Sequence, residues 1–273
     1  MAVLSMATTA DAQPAEIAGV RLGMTWAEAK PLIEQAGPIA TSYPFPVPEP
    51  GVSDRRALAA GYEASHTVRY APPQNTEIKI YLYPRNLRGD LKDPNNLIVH
   101  RIKRKKDFGY VKGQAPTLEL VVNEMIGKHG PASDVEHQGP SVGVGWIGRG
   151  ARAYSASKIT ALAAGAGGRL GPARPAQCLS GPGGGAGQAY GRLQSSRPLV
   201  QTGPYLGKGP DHWEQFVGCG ATHTVVLVTS GGALVHAIEQ DVFDMGQMQR
   251  IHGIQDAARK LIKTRTAGRI DER

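Results

Sequence analysis

The sequence has no acidic residue between Glu136 and Asp211, a gap of 74 residues. All 23 Asp and Glu lie outside this gap, where 23 Lys and Arg balance them. The eight Lys and Arg inside the gap therefore account for the whole net charge of +8 and for the basic pI of about 9.5. Because the flanking sequence has no excess of positive charge, the pI by itself does not indicate a nucleic-acid-binding protein.

The same region has few large apolar residues and much glycine. Residues 148–210 contain 15 Gly and 11 Ala, and only Ile159–Leu162 interrupts the pattern. Such a composition buries too little apolar surface to offset the chain entropy lost on folding, which predicts that residues 148–212 are a mostly disordered insert. A second interpretation is a segment read out of frame from a GC-rich gene, because the composition changes abruptly at both ends.

Cysteine is scarce, with only Cys178 and Cys219 in the chain. This number excludes a disulfide-rich scaffold, but an even pair is compatible with one disulfide in an oxidising compartment. The alternative is two unrelated thiols. A Cys219 nucleophile would need a base, for which His223 or His236 is the candidate, but the surrounding residues match no protease signature.

Patterns typical of metal and cofactor sites are also missing. The eight histidines are scattered and form no pair with metal-ligand spacing. The glycines of residues 181–187 lack the spacing of a dinucleotide fingerprint, and Lys208 lacks the following Ser or Thr of a P-loop. We therefore expect no catalytic residue, no metal site and no cofactor.

Long hydrophobic runs are absent, since no stretch approaches the roughly 20 apolar residues of a transmembrane helix. The first ten residues are mildly apolar and lead into Ala10-Asp11-Ala12, a small-x-small pattern typical of signal-peptide cleavage. No Lys or Arg precedes Arg21, so residues 1–15 are interpreted as the remnant of a signal peptide whose first residues are missing. This predicts a periplasmic or secreted protein. The alternative is an Ala/Thr-rich tail on a cytoplasmic protein.

Periodic patterns predict an α+β fold on both sides of the insert. Residues 16–147 contain a Thr25-x-x-Glu28 capping box and a strongly amphipathic helix over Thr117–Lys128. Residues 213–273 contain a hairpin and a helix over Gln247–Lys263. Alternating or apolar runs predict strands at His66–Tyr70, Glu77–Tyr83, Leu97–Lys103, Val142–Trp146, Thr222–Thr229 and Leu234–Ile238. The expected architecture is antiparallel sheet segments, each packed by a helix.

The opening segment Ile17-x-Gly19-Val20-Arg21-Leu22-Gly23-Met24-Thr25 resembles the start of the BamE-like (SmpA/OmlA) group and of related proteobacterial periplasmic proteins. Those proteins open with an apolar strand, a Gly-Met-Thr/Ser turn and a short helix. The resemblance implies a periplasmic α+β domain that contacts other envelope proteins. It does not extend to a lipid anchor, because this chain has no lipobox cysteine near its N-terminus.

The densest cluster of charge comprises Arg101, Lys103, Arg104, Lys105 and Lys106. Such a cluster is typical of binding to phosphates or to an anionic membrane surface, and Phe108 and Tyr110 could stack on bases. The alternative is a solvated strand end that runs into a loop, where lysines discourage edge pairing. We favour the alternative because the flanking sequence is balanced in charge, and we expect no strong nucleic-acid binding.

The patterns together predict an exported bacterial protein of the periplasm or cell envelope that binds another protein or a ligand and is not an enzyme. One alternative is a cytosolic basic protein that associates with nucleic acid through residues 101–106 and the insert. A Cys-dependent enzyme is a weaker alternative.

Overall fold

The structure is a computed structural model of the 273-residue chain. It describes residues 16–37, 39–44, 64–71, 75–109, 115–138, 140–147, 154–165, 168–170, 221–230, 233–244, 247, 250–251, 253–254 and 256–261. The predicted signal remnant at residues 1–15, both cysteines, the glycine-rich 181–187 motif and the motif at Lys208 lie outside these ranges.

Consecutive antiparallel strands are grouped between the helices in the described residues, which confirms the predicted α+β class. The strands are β1 Glu16–Ile17, β2 Val20–Arg21, β3 Ile39–Pro44, β4 Ala64–Tyr70, β5 Thr76–Pro84, β6 Leu97–Asp107, β7 Asp134–Gln138, β8 Ser141–Ile147, β9 Gly168–Leu170, β10 Ala221–Ser230 and β11 Leu234–Asp244. The helices are α1 Trp26–Gln35, α2 Leu118–His129 and α3 Ala156–Ala164. The described residues between 250 and 261 are also helical. None of the described helices has both the length and the apolarity to cross a membrane.

One antiparallel sheet of nine strands organises the fold, in the order β3-β4-β5-β6-β11-β10-β8-β7-β9. The C-terminal hairpin β10–β11 inserts between β6 and β8, so the two predicted sheet segments are halves of a single sheet. The short hairpin β1–β2 forms separately and leads into α1.

All three helices cover the same face of this sheet. Directly paired residues share a face, and one such row crosses five strands, from Ile80 through Ile102, Val242 and His223 to Trp146. Ile102 belongs to the apolar cluster under α1, whereas Trp146 belongs to the cluster under α2 and α3. We call this side of the sheet the helix face.

The opening helix α1 begins with the predicted capping box. The Glu28 backbone N–H donates to Thr25 Oγ1 at 3.3 Å, and the Thr25 backbone N–H donates to Glu28 Oε2 at 2.8 Å. The latter bond is the main cause of the lowered pKa of Glu28. The helix continues through Pro31 and buries Ala29 and Ile33 against the sheet.

We expect Thr25→Ala to lower the free energy of unfolding by about 1 kcal/mol, because the cap satisfies backbone donors of the first turn. Urea unfolding measures this change. Thr25→Ser keeps the hydroxyl and should stay close to wild type. Equal losses in the two variants would contradict a capping role.

Two segments within residues 148–212, which composition predicts to be mostly disordered, form regular structure. Helix α3 buries Ile159 and Ala163, and β9 pairs with β7. Ile159 and Ala163 lie one helical turn apart and so face the same way, into the cluster under α2. This pair provides buried apolar surface at a point where the average composition of the segment predicts too little of it. The rest of the insert, except residues 154–155 and 165, lies outside the described residues.

The predicted strand end at residues 101–106 is also wrong. Strand β6 continues to Asp107 and pairs with β5 on one side and with β11 on the other. Its lysines therefore lie on a central strand and cannot act as edge protection. Cationic side chains are tolerated there because acidic and amide side chains on β11 lie next to them.

Candidate functional site

The β-pleat divides the predicted anion-binding cluster between two faces of the sheet. Successive side chains of a strand point to opposite faces. Arg101, Lys103 and Lys105 therefore lie on one face, and Arg104 and Lys106 lie with Ile102 on the helix face. The five cations do not form one continuous surface, as a phosphate track along the strand would require.

The cations on the other face of the sheet, away from the helices, form ion pairs with acidic residues of β11. Arg101 Nε donates to both carboxylate oxygens of Asp241, at 2.9 and 3.2 Å, and both residues are buried. Lys103 Nζ lies 3.8 Å from Asp241 Oδ2, and Lys105 Nζ lies 3.5 Å from Glu239 Oε1. Burial, together with the nearby Arg101, lowers the pKa of Lys103. These three residues form internal ion pairs, so they are poor candidates for binding an external anion.

The two cations on the helix face line a groove. Its floor is formed by Arg104 and Lys106 of β6 and by Ile238 and Gln240 of β11. The β1 segment forms one wall and α2 forms the other. We call this cavity of about 290 Å³ the basic groove.

The second wall adds the positive charge of Lys128 and the ring of His129. Lys128 and His129 lie in the last turn of α2 and line the groove together with Glu124. Cations are favourable in this position because the helix dipole places partial negative charge at the C-terminus. Neither residue was predicted as a site residue, although a basic last turn was visible in Thr117–Lys128 and its flank.

Apolar side chains complete the basic groove. Ile17, Val121, Met125 and Phe108 line its walls, and Leu120 at the rim is 61% exposed. An exposed leucine on a helix that otherwise buries its apolar side chains extends the apolar wall to the opening. The groove therefore offers both cationic and apolar contacts to one molecule.

Arg104 is the most enclosed cation of the groove. Burial lowers its pKa, an effect that the nearby Glu124 carboxylate opposes. Its Nη1 donates to Gln240 Oε1 at 3.4 Å. An arginine stays protonated at any physiological pH, so the floor carries a fixed positive charge that is only partly hydrated. Such a charge binds an anion more strongly than a fully solvated one.

The candidate base His223 lies in the core behind the groove. Its ring stacks on Trp146 with centroids 5.3 Å apart and meets the His129 ring at 4.6 Å. Burial, with smaller effects from His129 and Lys128, lowers the pKa of His223 to about 3, so it is neutral at physiological pH. The other candidate base, His236, has Nδ1 3.0 Å from the carbonyl oxygen of Gly109.

Within the described ranges, no three His, Cys, Asp or Glu side chains converge as metal ligands would. Comparison with protein-family models, with curated proteins and with solved structures finds no match to this chain. The resemblance of residues 17–25 to the BamE-like group therefore stays a prediction.

Proposed function

We propose that the protein binds a small anion with an apolar body in the basic groove. The observation that carries this proposal is the convergence of Arg104 and Lys106 from β6 with Lys128 and His129 from α2 around one cavity with apolar walls. A carboxylate or phosphate head would contact the cations, and a short hydrocarbon body would lie along Val121 and Met125.

The size and chemistry of the groove favour a small ligand over nucleic acid. A cavity of about 290 Å³ suits a small molecule. A nucleic-acid backbone would need a longer row of cations, but the strand presents only two of its five clustered cations on this face. Stacking platforms for bases are also limited, since Phe108 already has the ammonium of Lys106 over its ring at 4.8 Å. Weak nucleic-acid binding stays a prediction, as does a periplasmic or secreted location, which depends on residues outside the described ranges.

The ligand class is tested with a series of simple carboxylates. Affinity should rise from butanoate through hexanoate to octanoate, because each buried methylene contributes about 0.8 kcal/mol. Octanol, which has the apolar body without the charge, should bind more weakly than octanoate. Isothermal titration calorimetry measures both comparisons. Octanol binding as tightly as octanoate would contradict a role for the cations.

The site is tested with neutral substitutions at its floor. We expect Arg104→Gln combined with Lys106→Gln to weaken octanoate binding at least about tenfold, since hydrogen bonds to charged groups contribute about 1.5–3 kcal/mol. Lys105→Gln is the matched control, because it removes a charge from the same strand on the opposite face. Octanoate affinity equal to wild type in the double variant, or an equal loss in Lys105→Gln, would refute the proposed site.

A further inference from the structure

A second cavity lies at one end of three neighbouring interior strands, where β5 and β11 end and β6 begins. It encloses about 260 Å³ and shares no lining residue with the basic groove. Leu22 and Gly23 from the turn before α1 line it together with Tyr83 of β5. Pairing of β5 with β6 and of β6 with β11 brings these distant chain segments to the same end of the sheet.

Two arginines line the cavity. Arg85 directly follows β5, and its backbone N–H donates to the Asn96 carbonyl at 2.7 Å. The Arg250 guanidinium lies over the Tyr83 ring, 5.5 Å from its centroid. Both side chains are exposed, and neither forms a salt bridge with any part of the chain that the structure describes. Each guanidinium therefore keeps its hydrogen-bond donors available to a ligand.

The lining of the cavity adds further polar groups, of which only Asp244 is acidic. The Tyr83 hydroxyl donates to Gln247 Oε1 over 3.5 Å, a long bond that can be exchanged for a shorter one to a ligand. His100 is buried, and desolvation followed by the charge of Arg101 lowers its pKa to about 3. It is thus neutral at physiological pH. Asp244 is the acidic residue of the lining, against two arginines.

A β-bulge explains why His100 lines this cavity. Tyr81 pairs with Arg101, but Leu82 pairs with Val99, so His100 is the extra residue on β6. The centroids of the His100 and Tyr83 rings are 5.5 Å apart, and the next residue, Arg101, pairs with Asp241. Bulges commonly re-aim a side chain next to a binding site.

We infer that this cavity, the arginine pocket, is a second binding site that takes a small oxyanion, either a carboxylate or a phosphate, between Arg85 and Arg250. The planar fork of a guanidinium matches two oxygens of such a group, and two forks at one opening can hold it from both sides. The Tyr83 hydroxyl donates a further hydrogen bond from inside. Leu22 and Ile98 leave room for a small apolar substituent. The inference does not depend on the function of the basic groove.

The test uses acetate and inorganic phosphate as probes, at constant ionic strength because exposed charges are screened by salt. The side-chain Nε–H signals of Arg85 and Arg250 in ¹H–¹⁵N NMR spectra should shift and saturate in the millimolar range or below for at least one probe. Saturation by acetate identifies a carboxylate site, and saturation by phosphate identifies a phosphate site. Shifts that stay linear to the highest concentration with both probes would overturn the inference.

Substitutions distinguish the pocket from general surface charge. Arg85→Gln with Arg250→Gln should weaken binding of the better probe at least about tenfold, because each guanidinium contributes charge-assisted hydrogen bonds. The matched control is Arg88→Gln, which removes an exposed arginine from the same connection between β5 and β6 outside the pocket. Tyr83→Phe should weaken binding less than the double variant.

The same measurement on Arg104→Gln with Lys106→Gln separates the two sites. If the better probe binds this groove variant as tightly as the wild type but binds the pocket variant, Arg85→Gln with Arg250→Gln, at least about tenfold more weakly, the arginine pocket is supported. Binding that is lost in the groove variant and kept in the pocket variant overturns it and assigns the probe to the basic groove.

Discussion

Asp241→Asn should lower the free energy of unfolding by about 3–5 kcal/mol, the typical cost of removing one partner of a buried ion pair. The Asp241 side chain is fully buried, and that of Arg101 is 6% exposed. Asparagine leaves Arg101 without its counter-charge and Lys103 without its acidic neighbour. Since the Tyr81 and Phe243 rings flank the guanidinium at 5.3 and 5.7 Å, the arginine cannot easily turn to solvent.

The control for this prediction lies two residues away on the same face of β11. Glu239→Gln removes the carboxylate that meets Lys105, whose side chain is 55% exposed. An exposed pair of this kind contributes about 0–1 kcal/mol. Unfolding of the two variants in guanidinium chloride compares their free energies of unfolding. If Asp241→Asn costs no more than Glu239→Gln, the buried pair does not stabilise the centre of the sheet.

Ile159→Ala should lower the free energy of unfolding by about 2–5 kcal/mol, the range for truncating a fully buried isoleucine. Ile159 has no exposed surface and packs in the cluster formed under α2 and α3. The variant removes three carbon atoms from a site with no solvent to fill the gap. If this part of the glycine-rich insert were disordered, truncating Ile159 would leave no cavity and would not change the free energy of unfolding. The measurement therefore tests whether this part of the insert is folded.

Lys158→Ala is the matched control, since Lys158 precedes Ile159 on α3 and is exposed. Substitutions at such surface positions usually change stability by less than about 0.5 kcal/mol. Urea unfolding of the wild type and both variants measures the difference. An Ile159→Ala variant as stable as Lys158→Ala would show that α3 does not pack on the sheet and would restore the disorder prediction for these residues.

Much of the local structure could be predicted from neighbouring residues. The Thr25–Glu28 box marked the start of α1, and the alternation of Ile78, Ile80 and Leu82 identified the core side of β5. These features depend on hydrogen bonds and side-chain directions within a few residues, which a short window of sequence contains.

The candidate sites were harder to predict. The cluster at residues 101–106 was visible as charge, but its division by the pleat required knowing that β6 continues to Asp107. Lys128 was visible only as part of a basic last turn, and Arg85 and Arg250 carried no signal of a site, because each is an ordinary surface cation until another chain segment forms a cavity beside it. The helix α3 was missed because two well-placed apolar residues do not change the average composition of a long segment.

The sequence by itself determined the α+β class, the starts of α1 and α2, the alternation of the strands and the location of the excess positive charge. Only the tertiary structure decided the order of the strands and the environment of each cation. Arg101 and Asp241 are 140 residues apart and meet because β11 pairs with β6. Helix caps and strand periodicity depend on local hydrogen bonds, whereas strand partners depend on which distant apolar faces complete one core.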